Sequence, residues 1–275
     1  MLEYAEAKVN AKQLNETIHG KKIKHVVCGT SPHKFAFFNP DVDYNELLVG
    51  KTIGEARGLG GFVEINVEDA TLLFGDGVNI RYFEDAKQLP NKYQFRIDFT
   101  DNSILIGSVQ MYGGMWAFTH GTYDNPYYLV AQEKPDLLGD EFTLSYFTDI
   151  VANAKPTLSA KALLATEQRF PGLANGALQD ILFHAGIHPK RKIKTFSEAD
   201  IERLFDSVRT TLNSIVTLGG RDTEKDIFGT VGGYQTILSN KALKEPCPVC
   251  GSAKEKQNFL GGAIYFCPEC QPLVD

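Results

Sequence analysis

No hydrophobic run in this 275-residue chain reaches the ~18 residues that a membrane span needs. The start, MLEYAEAKVNAKQ, lacks an apolar core and carries charge within its first eight residues, so it does not read as a secretory leader. No internal repeat or low-complexity stretch occurs, which excludes solenoids and arrays. Basic residues are not in excess: 28 Lys and Arg stand against 34 Asp and Glu, a net charge of −6. That total argues against a uniformly cationic surface of the kind that coats nucleic acid. What is present is ordinary globular composition, 43% hydrophobic and 23% charged, which excludes a disordered or collagen-like chain. The length suggests two domains, because single cores seldom grow past about 250–300 residues.

Cysteine is also scarce, with five residues, and unevenly placed. Cys28 stands alone in the apolar stretch His25-Val26-Val27-Cys28 and reads as a small buried core residue. Cys247, Cys250, Cys267 and Cys270 form two C-x2-C knuckles. Each knuckle turns two thiolates toward one ion, and the stretch between them suffices for a hairpin. Four thiolates fill a tetrahedral shell, so the expected cofactor is one structural Zn2+. Reduced thiolates and the absence of a leader imply a cytoplasmic compartment.

Residues 2–18 read as a helix stopped by Gly20. Segments 22–28, 33–38, 52–66, 70–74, 78–84, 92–99, 103–108 and 114–119 read as strands, separated by turn signals such as Gly75-Asp76-Gly77. They predict a β-sandwich or barrel. Residues 120–140 are polar and turn-rich and read as a linker. Helices follow at about 142–153, 158–166, 174–185 and 197–217, the last opened by the capping pair Ser197 and Asp200. Residues 219–240 read as loop, and the cysteine hairpin follows. The fold class is therefore α+β, with domains expected at 1–125 (helix plus β-sandwich), 126–240 (helical) and 241–275 (zinc finger).

The turn Gly172-Leu173-Ala174-Asn175 precedes a helix. Backbone N–H groups there can hold a phosphate, with Asn175 donating as well; a plain N-cap is the alternative. Lys190, Arg191, Lys192 and Lys194 lie just beyond that helix and, with Lys161, form a candidate DNA track. His184 and His188 are four apart, but without a carboxylate or Cys partner they read as packing or capping groups.

In this order the motifs resemble the formamidopyrimidine-DNA glycosylase / endonuclease VIII family of base-excision enzymes. The likeness runs nearly end to end. Its most specific part is residues 168–189, QRFPGLANGALQDILFHAGIHP, which is similar to the family's helix–two-turns–helix element. Met1-Leu2-Glu3-Tyr4-Ala5-Glu6 is similar to the family's Met-Pro-Glu-Leu-Pro-Glu start. Residues 101–116 track its strand pair around an Asp-Pro-Arg-Arg-Phe-Gly loop, and Phe266-Cys267-Pro268-Glu269-Cys270-Gln271 resembles its finger end. The resemblance implies a glycosylase that everts a damaged nucleotide of duplex DNA, or an abasic site, and attacks sugar C1′ with the N-terminal amine. Glu3 would move protons during sugar opening and Glu6 would be the second acid. It also implies a monomer, associated with the nucleoid rather than a membrane.

The chain departs from the family at four places. Leu2 replaces the nucleophilic Pro, so the amine belongs to Met1, or to Leu2 if Met1 is removed, and is primary either way. Gly61 falls where the family has a phosphate-binding Lys, and Gly262 where it has the finger Arg. Met111 and Tyr112 replace the Arg pair of the void-filling loop; Tyr112 could wedge into a duplex and Met111 stack there, or both could pack under the sheet edge. Expected function is base excision with an altered or lost lyase step. One expected route has Glu3 activating water at C1′ without a Schiff base. The alternative is a damaged-DNA-binding protein without catalysis. Basic residues gather at Lys21, Lys22, Lys24, Lys155 and Lys161 and at 190–194, so a negative total is compatible with a local basic track.

Overall fold

The computed structural model describes residues 2–274. Helix α1 (Tyr4–Thr17) is followed by Gly20 at φ +79°, a left-handed position that suits glycine. The sheet strands are β1 (Ile23–Cys28), β2 (Ala36–Phe37), β3 (Ile53–Leu59), β4 (Phe62–Val67), β5 (Ala70–Phe83), β6 (Phe95–Phe99) and β7 (Ile104–Thr119). They form one hydrogen-bonded path, β1-β6-β7-β5-β4-β3, with β2 on β7. Both halves of the path bury side chains in one core, where Val26, Phe95 and Ile97 meet Ile53, Val63 and Ile65 under Ala7, Ala11 and Leu14 of α1 and Ile18 just beyond it. At Gly58 an added Cβ would lie 2.7 Å from the Lys8 backbone nitrogen, so α1 rests directly on β3.

Several expectations need correction here. The segment 52–66 is two antiparallel strands, β3 and β4, joined by a turn at Gly60-Gly61. The segments 70–74 and 78–84 are one strand, β5; 103–108 and 114–119 are likewise one, β7. The turn-like Gly75-Asp76-Gly77 is a β-bulge, with the register shifting between Asp76 and Val78 opposite β7. A Cβ on Gly77 would come 2.3 Å from the Tyr112 carbonyl oxygen, so the glycine permits close strand approach rather than a chain reversal. Cys28 is exposed, because it ends β1 at the sheet's edge. Between β2 and β3 lies a short helix, α2 (Tyr44–Leu48), capped by Asp43.

The linker at 120–140 holds helix α3 (Pro126–Glu133). The Asn125 carboxamide oxygen accepts the Tyr127 and Tyr128 N–H groups, and Pro126 suits a first turn, so its turn-like composition is a helix start. Beyond lie α4 (Leu144–Asn153), α5 (Ala160–Ala165), α6 (Asn175–His184), α7 (Glu198–Thr217) and the hairpin β8 (Glu255–Phe259) and β9 (Gly262–Phe266). Helix α7 presents Leu204, Val208, Leu212 and Ile215, all fully buried, to a second core with Phe142, Phe147 and Phe170. Its Ser197 and Asp200 make the reciprocal capping box. Ser197→Ala should cost about 1 kcal/mol, read as a lowered urea midpoint with an unchanged m-value.

The two cores share elements. Tyr4 and Ala5 of α1 belong to the second core, while Ala7, Ala11 and Leu14 belong to the first. Ile227, from the loop after α7, returns to the first core, and its carbonyl accepts the Tyr82 N–H at 2.8 Å.

Candidate active site

The first described residues stitch the two halves together. Leu2 N–H donates to the Asp76 carbonyl on the β5 bulge at 2.8 Å, and Tyr4 N–H to the Gly172 carbonyl before α6 at 2.8 Å. Gly172 has φ +79°, and a Cβ there would lie 2.3 Å from the Gly60 carbonyl carbon, so two glycine turns meet face to face. Between these anchors the Glu3 carboxylate, 2% exposed, accepts Gly176 N–H at 2.8 Å and Ala177 N–H at 2.9 Å. The free amides at the start of α6, expected to meet phosphate, therefore hold Glu3, a placement the helix dipole favours.

Arg221, in the loop after α7, closes the cluster. Its Nε and Nη2 donate to Glu6 at 2.7 and 3.0 Å, and its Nη1 lies 3.5 Å from Glu3 Oε1. Glu6 is buried alongside Glu3. Burial pushes the Glu3 carboxyl up from its ordinary value, opposed by Arg221 and assisted by the Glu6 charge. Burial works against the guanidinium charge, but Glu3 and Glu6 more than offset it and hold Arg221 protonated. Gly176 has to be glycine, since a Cβ would lie 1.4 Å from Arg221 Nη1. Sequence reasoning missed Arg221: a single arginine in a glycine-rich loop carries no spacing signal. Met1 lies outside the described residues.

Leu2 lines a cleft of about 480 Å³ between sheet and helices, together with Gly61, Phe62, Asp76, Tyr112 and Trp116. Met111 and Tyr112 are 74% and 42% exposed, and Tyr112 also lines a second cleft that reaches Arg81 and Lys225. Of the two readings for this pair, packing under the sheet edge does not fit their exposure.

The expected DNA-contact residues divide. Asn175 donates to the Ala263 carbonyl at 3.0 Å, and Lys161 Nζ to the Phe259 carbonyl at 2.7 Å, so both brace the finger hairpin. Burial pushes the Lys161 ammonium pKa down. A Cβ on Gly262 would sit 3.6 Å from Lys161 Nζ and 3.8 Å from Asn175 Nδ2, so hairpin tip, α5 and α6 converge there. Lys190 reaches Gln257 on the hairpin. Arg191 turns inward to Asp200 at 2.7 Å and to Thr195, while Lys192 is exposed. His184 is exposed and His188 is buried with its ring 4.4 Å from that of Phe266, so the two do not form a metal pair.

The four C-terminal cysteines gather with all sulfurs within 4.8 Å of one another. The Cys247–Cys270 and Cys250–Cys267 sulfurs are 3.7 and 3.4 Å apart. Tetrahedral Zn–S bonds of about 2.3 Å require sulfurs roughly 3.8 Å apart, so the donor set fits one metal ion.

No family model matches the chain. It is, however, similar over full length to curated formamidopyrimidine-DNA glycosylases. It is 28% identical to that of Bacillus cereus (strain ATCC 10987 / NRS 248) over 281 residues, covering all of both chains. It is 27% identical to that of Listeria innocua over 277 residues, covering 98% of this chain and 100% of the relative. Among solved structures it matches the MutM (Fpg) protein of Thermus thermophilus with a TM-score of 0.82 at 22% identity, covering 99% of this chain and 100% of the other. It matches Lactococcus lactis Fpg in complex with abasic-site DNA with a TM-score of 0.79 at 23% identity, covering 98% and 99%. Fold and site thus define a helix–two-turns–helix scaffold with a four-cysteine finger. Over its full length the chain is similar in sequence to curated formamidopyrimidine-DNA glycosylases, and it shares their fold.

Proposed function

We propose that this protein is a DNA glycosylase that acts as a monomer on a damaged base or abasic site in duplex DNA, releasing the base by hydrolysis with little strand nicking. The observation that carries this reading is the buried Glu3, seated across both halves on the start of α6 and beside a cleft that Leu2 lines. Relatives named formamidopyrimidine-DNA glycosylase over full length support the substrate class. Leu2 in place of Pro supports hydrolysis: a large second residue favours retention of Met1, whose primary amine is then shifted by one residue relative to Glu3 and away from the geometry of the family's attack on C1′. Cys247, Cys250, Cys267 and Cys270 would hold one Zn2+, which fixes the finger and takes no part in the reaction. Lys190, Lys192 and the edge of Arg191 would lie along the DNA, with Lys161 and Asn175 bracing the finger beside it and Tyr112 and Met111 in the gap left by an everted nucleotide. Units 1–125, 126–240 and 241–275 would share this work as sandwich, helical domain and finger.

The test is a panel of lesion-bearing duplexes, read for base release and for covalent trapping by borohydride. Base release with little trapping is expected. Tight binding to an abasic-analogue duplex with no release from any lesion would favour the non-catalytic DNA-binding protein, the second reading, which glycine at 61 and 262 and leucine at 2 support. Intact mass settles whether the free amine is that of Met1 or Leu2. Tyr112→Ala should weaken binding to the abasic-analogue duplex about tenfold, in line with roughly 1–3 kcal/mol per aromatic–base stack. Gel shift against undamaged duplex checks it.

A further inference from the structure

Hydrolysis at C1′ needs a carboxylate that can reach water. Neither Glu3 nor Glu6 is free to do so. Both oxygens of Glu3 accept α6 amides, both oxygens of Glu6 accept Arg221, and both side chains are buried. Asp76 differs in each respect. It lies on the β5 bulge with φ +59°, a left-handed conformation that Asp and Asn tolerate better than other side chains. Its side chain opens on the cleft, and its carboxylate has no hydrogen-bond or ion-pair partner among the described residues. Loss of solvent raises its pKa, with no cation opposing the shift.

The bulge is also placed for chemistry at the chain start. The Asp76 carbonyl holds the Leu2 N–H at 2.8 Å. Its neighbour Gly77 is pressed against the Tyr112 backbone, which fixes the bulge. Gly61 and Gly172 give the cleft a stretch of wall without side chains, where a sugar can approach backbone, while Phe62 and Trp116 offer apolar ring surface.

We propose that Asp76 is a catalytic carboxylate of this site, taking a proton from the water that attacks C1′ of an everted deoxynucleotide in the cleft. The inference rests on the base-excision reading above and takes from Glu3 the water-activating role. The water oxygen bonds to C1′ as the C1′–N glycosidic bond breaks. The bonding pair leaves with the base, which takes a proton from solvent. Asp76 accepts the proton of the attacking water and returns it to solvent. The products are the free base and an abasic sugar with a hydroxyl at C1′, with no change of oxidation state.

The test uses the full chain and Asp76→Asn, which keeps side-chain size and the left-handed backbone, with Asp76→Gly as a second variant that removes the side chain at no backbone strain. Single-turnover base release is measured on the duplex that the unaltered protein processes best, beside binding to a tetrahydrofuran abasic-analogue duplex. Release should fall about 100-fold or more in both variants, the range expected for loss of a general base, with binding within about twofold. Undiminished release in Asp76→Asn overturns the assignment while leaving the glycosylase reading in place. Parallel loss of binding and release also overturns it, because Asp76 would then hold the structure or the DNA. Failure of the unaltered protein to release any base overturns both.

Discussion

Arg221→Ala is expected to destabilise the folded protein by about 3–5 kcal/mol, the usual cost of leaving buried charge without its partner. The physical reason is that Glu3 and Glu6 are both buried and face the same guanidinium. Without it, two carboxylates share a dry site. The deficit should depend on pH in a definite direction. Burial already raises the Glu3 carboxyl above the ordinary 4.5. A carboxyl raised in the folded state favours folding below its unfolded value and loses that contribution as pH rises through the folded one. Arg221 opposes the rise, so its removal widens the window upward. The variant should be furthest below the unaltered protein near pH 8 and should recover part of the difference as pH falls toward 5. Thermal or urea unfolding at both values measures this; an equal deficit at the two would show that the guanidinium acts through packing alone. Arg221→Lys should restore charge but not the two-pronged contact with Glu6, and so recover only part of the loss.

The second large effect is expected from removing the proposed zinc. Apparent binding free energies of about 10–16 kcal/mol for four-ligand structural sites become folding energy for the segment that carries them. Here that segment is a two-stranded hairpin over a small cluster of Phe183, Leu238, Tyr265 and the cysteines themselves. Two strands alone are marginal in water. Cys267→Ser, or exhaustive chelation, should therefore unfold residues 247–271 and release the braces from Lys161 and Asn175. Duplex affinity should drop about 100-fold or more, since the proposed DNA track would lose one wall. The sandwich should persist. Trp116, the single tryptophan, lies on β7 far from the hairpin in sequence, so its emission should stay native while bound metal is lost. A collapse of the Trp116 signal in step with metal loss would mean that finger and sandwich unfold as one unit.

Much of the protein was legible where the signal is local. The C-x2-C pairs need only neighbouring residues to aim two thiolates, and the four sulfurs do converge. Helix α7 followed from a 3.6-residue apolar period and a capping pair, both contained within about twenty residues. Helix α3 was hidden because Asn-Pro marks both a turn and a helix start; burial of Tyr128 and Ala131 against other elements decides which. Gly75-Asp76-Gly77 was ambiguous for a similar reason. Its composition suits a chain reversal, yet pairing on both sides with β7 carries the strand through as a bulge.

By itself, then, the sequence determined the α+β class, the four-cysteine finger and the helix–two-turns–helix stretch, since each depends on residue identity or short spacing. Only the tertiary structure decided which charged groups work together. Glu3 lies 173 positions from the amide it caps and Glu6 lies 215 from the guanidinium that neutralises it. Asp76 is left unpaired because no cation among the described residues is folded against it. Such partnerships depend on where two cores bring distant backbone together, and no local pattern encodes that distance.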